Sequence, residues 1–214
     1  MDVVEIEPGL WRWVAYHDSW KADVGCVYCE TEEGVVLVDP LVPADETERF
    51  WRALDRDVER CGGRVHVLLT VFWHVRSTAG VVDRYDARTW VPTTARAPVA
   101  RRIGPVSDPF RPGDRLPGGI EAYRTARRTE VVYRIPEHRA LVPGDVLLGA
   151  DGGLRLCPES WLPAKSSRED LARSLRPLLD LPIERVLVSH GEPVLSGGGE
   201  ALAAALKLRA TGTR

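Results

Sequence analysis

Apolar positions along the 214-residue chain recur with two different periods, and each switch of period marks an element. Val3 to Ile6, Leu10 to Val14, Val24 to Glu30 and Val35 to Val38 read as strands. Pro8-Gly9 and Thr31-Glu32-Glu33-Gly34 supply turns between them. After Asp39-Pro40 the pattern becomes helical. Pro43, Asp45 and Glu46 suit a first turn, Phe50, Leu54 and Val58 repeat every four residues, and Cys61-Gly62-Gly63 stops the helix. The continuous apolar run from Val65 to Thr70 predicts a buried strand, followed by a helix through Val81, Val82 and Tyr85.

A second cycle begins at Pro117-Gly118-Gly119. Ile120 to Thr125, Val131 to Ile135 and Ala140 to Val142 predict a meander, with a turn at Pro136-Glu137. Ser166-Ser167-Arg168-Glu169 carries a capping-box pattern, and Leu171, Leu175, Leu178 and Leu179 mark the face of the helix it opens. Arg185 to Ser189 predicts a last buried strand and Glu200 to Leu208 a last helix. Strands, helix, strand, helix, repeated once, predict two similar halves in one α/β layered domain over residues 1–214.

Composition narrows the partners. Lys and Arg total 29 against 31 Asp and Glu, a net charge of −2, which argues against nucleic-acid binding or a polybasic membrane anchor. Nothing near Met1 resembles a signal peptide, and Val65 to Trp73, which includes His66, is too short to span a bilayer. A cytoplasmic location follows as an expectation. Cys26, Cys29, Cys61 and Cys157 are then expected as reduced thiols. Cys26 and Cys29 have C-x-x-C spacing but lie on a predicted strand, where side chains three apart face opposite sides.

Candidate chemistry lies at three strand ends, where α/β folds collect functional side chains. These are Leu68 to Gly80, with Trp73, His74, Arg76 and Ser77; Leu141 to Leu147, with Asp145; and Val186 to Pro193, with His190. Each has an ordinary explanation taken singly: a loop histidine, a turn aspartate, a strand-end histidine. Ser77 lacks the glycine-flanked elbow of a nucleophile. Gly197-Gly198-Gly199 lacks the lysine and serine of a phosphate loop and reads as a flexible start to the last helix.

Taken together and in this order, the segments resemble the metallo-β-lactamase superfamily. The resemblance covers almost the whole chain. It runs through Ile6-Glu7-Pro8-Gly9-Leu10-Trp11, Gly34-Val35-Val36-Leu37-Val38-Asp39, Val142-Pro143-Gly144-Asp145-Val146-Leu147 and Val188-Ser189-His190-Gly191-Glu192-Pro193. It implies a four-layer αβ/βα sandwich with a metal site along the edge between the halves. The family's H-x-H-x-D-H signature falls on Phe72, His74, Arg76 and Ser77, and its further histidine near Thr125 to Thr129, where this chain has arginines. His74, Asp145 and His190 keep ligand-type residues. Phe72 cannot ligate, and Arg76 replaces an anion by a permanent cation, so a two-metal site is expected to be absent.

Two functional readings remain open. The first is a degenerate member of the fold that serves as a small-molecule-binding or regulatory protein, uses no cofactor and lacks ordinary zinc hydrolase activity. In it Arg76 fills the place of the lost metal by pairing with Asp145, and Ser77 is a small replacement for a lost histidine. The second is a hydrolase of a small ester, thioester or lactone. It would use one zinc or other divalent ion on His74, Asp145 and His190, with Asp145 and His190 catalytic. Trp73 and Arg127 are expected beside the cleft in either case. Should Arg124, Arg127 and Arg128 face it together, an anionic ligand is implied; a solvated strand surface is the alternative.

Overall fold

The N-terminal β-rich runs fold into an antiparallel meander of β1 (Asp2–Glu7), β2 (Leu10–His17), β3 (Ala22–Thr31) and β4 (Gly34–Val38). The computed structural model describes residues 2–207. Three parallel strands extend the sheet beyond β4: β5 (Val65–Leu68), β6 (Arg88–Pro92) and β7 (Asp108–Phe110). Their connections are α1 (Thr47–Arg60), α2 (Thr78–Tyr85) and α3 (Arg96–Ile103). Phe50, Leu54 and Val58 are the buried face of α1, as their spacing predicts.

The second sheet has the order β13-β10-β9-β8. It contains β8 (Glu121–Arg124), β9 (Val131–Ile135) and β10 (Ala140–Val142), with β13 (Arg185–Val186) parallel to β10. A two-stranded ribbon, β11 (Leu147–Ala150) and β12 (Gly153–Leu156), leads to α4 (Arg168–Leu175), and α5 (Gly198–Leu206) closes the described chain. The expected end of that last helix, Leu208, lies outside the described residues, as do residue 1 and the rest of 208–214 of the expected domain.

Three apolar clusters separate the layers. Trp13, Cys26, Phe50, Leu54, Val81 and Val99 pack between the first sheet and its helices. Cys29, Val36, Leu68, Tyr133 and Leu187 pack between the two sheets. Leu141, Val186, Leu171, Leu175 and Leu202 pack between the second sheet and α4 and α5. Cys26 and Cys29 thus fall in different clusters, as strand alternation requires, and both are free thiols. Burial pushes the Cys29 thiol up to about 12, so neither the spacing nor the acidity suits redox exchange.

Several elements differ from the sequence reading. β6, β7 and α3 occupy a stretch assigned no element, because β7 is only Asp108-Pro109-Phe110 and α3 carries Pro98 in its first turn. The β11–β12 ribbon is likewise absent from that reading. The capping box sits one residue later than predicted, on Ser167 and Asp170. After α4 the chain tightens into a 3-10 turn over Arg176–Asp180, which buries Leu178 and leaves Leu179 exposed. Among the described residues no helix is long and apolar enough to cross a membrane.

The halves are fastened at the strand ends that carry the candidate residues. Gly25 N donates to Ser189 O at 2.7 Å, Val131 N to Thr70 O at 2.9 Å, and the Tyr133 hydroxyl to Leu69 O at 2.9 Å. A Cβ on Gly25 would stand 2.6 Å from Val188 O and from the Arg12 guanidinium. Gly25→Ala is therefore expected to push the halves apart and cost about 1–3 kcal/mol, read as a lower urea midpoint at unchanged m-value.

Candidate metal centre

The site is assembled around the carboxylate that ends β4. Asp39 is buried, with its backbone at φ +50°. Its Oδ1 accepts Thr70 N at 2.8 Å, and its Oδ2 accepts the Thr70 hydroxyl and lies 2.7 Å from His74 Nδ1. A carboxylate can only accept here, so the imidazole proton sits on Nδ1 and the lone pair of Nε2 is turned away from Asp39.

Asp145 arrives from the end of β10. Its backbone N donates to Glu130 Oε1 at 2.7 Å, and its Oδ2 accepts Trp73 Nε1 at 2.7 Å. The preceding Gly144, at φ +61°, lets the chain pass where a Cβ would lie 2.8 Å from Glu130 Oε1 and from Thr70 Oγ1. His190 follows the end of β13, and its carbonyl accepts Gly149 N at 2.9 Å.

Three donor atoms converge. The candidate ligand atoms of His74, Asp145 and His190 all lie within 4.8 Å of one another. His74 Nε2 is 3.2 Å and His190 Nε2 3.3 Å from Asp145 Oδ1. Yet His74 Nε2 and Asp145 Oδ1 are buried with no hydrogen-bond partner. Two ligands on one tetrahedral zinc stand about 3.3–3.6 Å apart, given bonds of roughly 2.0–2.2 Å. The two separations from Asp145 Oδ1 are close to that spacing, and with the two unbonded atoms they are compatible with a single ion. Asp39 behind His74 supplies the outer carboxylate that such ligands commonly have.

The electrostatics follow from these contacts. Burial would raise the Asp145 carboxyl, but the positive charge of His74, the imidazole of His190 beside it and the Trp73 donor hold it far below the usual carboxylate range. Burial and Arg76 oppose protonation of His74, and Asp39 and Asp145 outweigh them, so it is raised. Burial lifts Glu130 to about 7 against the pull of Arg127.

The expected pairing of Arg76 with Asp145 does not occur. Arg76, at φ +35°, turns its guanidinium to the strand ends behind the site. Nη1 donates to Asp39 O at 2.8 Å and Gly25 O at 3.1 Å, and Nη2 donates to Ser189 Oγ at 2.6 Å. Carbonyl oxygens left open where the pairing of β3 with β4 stops, at Val27 and Val38, hold it there, and Asp145 faces Trp73 and the two histidines instead. Ser77 is likewise not a cleft residue. Its Oγ accepts Val42 N at 2.9 Å and pins the loop before α1. Phe72 packs edge-on against Trp73 with centroids 4.7 Å apart.

The cleft in front of Asp145 and His190 measures about 540 Å³, and Trp20, Trp73, Trp161 and Arg127 form its walls. Arg127 lines it with its charge already engaged: Nη1 binds Glu130 Oε2 at 2.7 Å and Nη2 binds Trp161 O at 2.8 Å. Arg124 and Arg128 open instead on a separate cavity. Sequence reasoning singles out none of Asp39, Glu130, Trp20 and Trp161 as a site residue. Asp39 alone leaves a signal, as an acidic residue at the end of a fully apolar strand. At the glycine-rich start of α5, the amides of Gly198 and Gly199 are taken by Glu184 O and Ile183 O, so no phosphate cradle forms.

Arg76→Lys would keep the charge and lose the fork that reaches Gly25, Asp39 and Ser189 together. It is expected to cost about 1–3 kcal/mol in urea denaturation, by loss of charge-assisted bonds to buried acceptors.

No protein-family model matches the chain, and no curated protein matches it. Solved structures do. A metallo-beta-lactamase from Pontibacter korlensis superposes with a TM-score of 0.72 at 18% identity, covering 96% of this chain and 98% of that one. A metallo beta lactamase from Erythrobacter litoralis gives 0.69 at 15% identity, covering 96% and 94%. A metallo-beta-lactamase family protein from Thermus thermophilus gives 0.65 at 18% identity, covering 94% and 79%. Identities this low carry the fold and nothing finer.

Proposed function

We infer that this chain, built on the metallo-β-lactamase fold, is a hydrolase of a small ester, thioester or lactone that works with one divalent metal ion. The observation that carries the reading is the pair of orphaned atoms, His74 Nε2 and Asp145 Oδ1, converging with His190 Nε2. Two imidazoles and a carboxylate form a ligand set that leaves one position open. When bound, the ion would polarise a substrate carbonyl and acidify a water toward neutral pH.

The remaining roles belong to the side chains around the three donor atoms. Trp73 holds Asp145 Oδ2, which keeps Oδ1 directed at the histidines. Asp39 keeps the proton of His74 on Nδ1. Trp20, Trp73 and Trp161 give an apolar cleft that excludes water around a small acyl group. Among the described residues the lining of that cleft includes no serine, threonine or cysteine, which favours attack by water over a covalent intermediate on such a group. Phe72 and Arg76, at positions that the resemblance assigns to ligands, are committed to packing and to backbone carbonyls, which supports one ion rather than two.

A specific observation also favours the other reading, a small-molecule-binding protein without metal. His74 lies 2.7 Å from Asp39 and 3.2 Å from Asp145, so a protonated imidazole would itself neutralise the site. A cytoplasmic location, and the lack of nucleic-acid or membrane partners, remain part of the proposal under either reading.

Metal analysis after purification in zinc-supplemented buffer and exhaustive dialysis separates the two. One equivalent per chain is expected, falling to background in His190→Ala and Asp145→Asn. Asp39→Asn should weaken metal affinity about 10–100-fold while leaving all three ligands in place. A wild-type chain that holds only traces of metal would sink the hydrolase reading and leave the metal-free one. Activity toward a small aryl ester should vanish with a chelator and return with zinc.

A further inference from the structure

Beyond the metal cleft, a cavity of about 380 Å³ opens between the ends of β7 and β8 and the turn before β9. Arg111, Arg124 and Arg128 line it, one from each of these segments, and all three are exposed. Among the described residues none of their guanidinium groups has a hydrogen bond or an ion pair. The nearby carboxylates are engaged elsewhere. Glu130 is bound to Arg127 at 2.7 Å and to Asp145 N at 2.7 Å, and Asp114 Oδ2 accepts Arg111 N at 2.7 Å.

Three uncompensated cations around one cavity repel one another, and a chain of net charge −2 does not gather them by composition alone. The cavity is also fixed in shape. Thr93 Oγ1 donates to Phe110 O at 2.9 Å, and Thr94 Oγ1 donates to Arg128 O, which ties the segments carrying Arg111 and Arg128 to the end of β6. Phe110 and Pro92 add an apolar wall. Guanidinium forks match the oxygens of a phosphate group, and the volume falls within the roughly 300–1,000 Å³ of small-molecule sites.

We propose that this cavity is a binding site for a phosphate-bearing small molecule, with Arg111, Arg124 and Arg128 holding the phosphate and Phe110 and Pro92 receiving part of its organic body. A groove walled by Phe72, Trp73, Arg127, Arg128 and Trp161 adjoins it and shares Trp73, Arg127 and Trp161 with the metal cleft. The site does not depend on the metal, and so stands or falls separately from the hydrolase reading.

Calorimetric titration of pyrophosphate into chelator-treated protein tests the site. Saturable binding of one equivalent is expected in the wild type and in His190→Ala. Affinity should fall about tenfold or more in the Arg124→Gln/Arg128→Gln double variant, which loses two charged donors. Arg56→Gln, which removes an exposed charge from α1, should bind as the wild type does. Because the substituted arginines are exposed, the double variant should keep the wild-type urea midpoint. No binding by the wild type, equal binding by the double variant, or equal loss in Arg56→Gln would overturn the proposal. Loss of binding in His190→Ala would overturn it too, since pyrophosphate would then occupy the metal cleft.

Discussion

The contact on which the centre depends is the buried carboxylate of Asp39. It binds the amide and the hydroxyl of Thr70 and the imidazole of His74, so one acidic group registers β4 against the end of β5 and orients a candidate ligand. A carboxylate in this position would be costly without donors, and here every donor comes from a residue of the site. The geometry of His74 is thus inherited from the sheet. A loop histidine free to rotate would not keep Nε2 directed at Asp145.

Arg76 shows how charge is distributed around that core. Its guanidinium satisfies carbonyls at Gly25 and Asp39 and the Ser189 hydroxyl, joining β3 to the segments that follow β4 and β13 from behind. It contributes positive charge near His74 without entering the cleft, and the Trp20 ring stacks against it at 5.6 Å. Asp145 therefore faces the cleft with one oxygen tied to Trp73 and the other open. A proton on His74 and a metal ion at Nε2 compete for the same lone pair, so metal uptake and proton release are coupled at this centre.

A second buried pair performs the same service one layer out. Glu130 and Arg127 are almost fully buried, and between them they bind Asp145 N and Trp161 O and place the guanidinium 5.4 Å above the Trp73 ring. The pair fixes the loop that carries Asp145 and the tryptophan that carries the cleft wall. Removing either member would strand the other charge in the interior, the situation in which a buried ion pair is most costly to disturb. The residues where the resemblance places a further histidine thus support the site through a chain of contacts, without acting as ligands.

Much of the architecture is legible in the chain. The β-rich runs of β2 to β4, the four-residue repeat of α1 and the apolar runs of β5, β9 and β10 each encode a buried face locally, and such patterns need no partner to be read. The strand ends carrying His74, Asp145 and His190 are legible for the same reason, because a polar residue following an apolar run is a local signal. The three-residue strand β7, the proline-bearing helix α3 and the cleft walls Trp20 and Trp161 are not, since nothing in their own sequence distinguishes them. The partner of Arg76 is misread from sequence. Charge complementarity along the chain points to Asp145, whereas the backbone turn at Arg76 and the open carbonyls of Gly25 and Asp39 exist only once β3, β4 and β5 lie side by side. Sequence alone determined which residue types stand at the strand ends; tertiary structure decided which of their lone pairs and donors meet, because hydrogen-bond geometry is settled by distances between segments far apart in the chain.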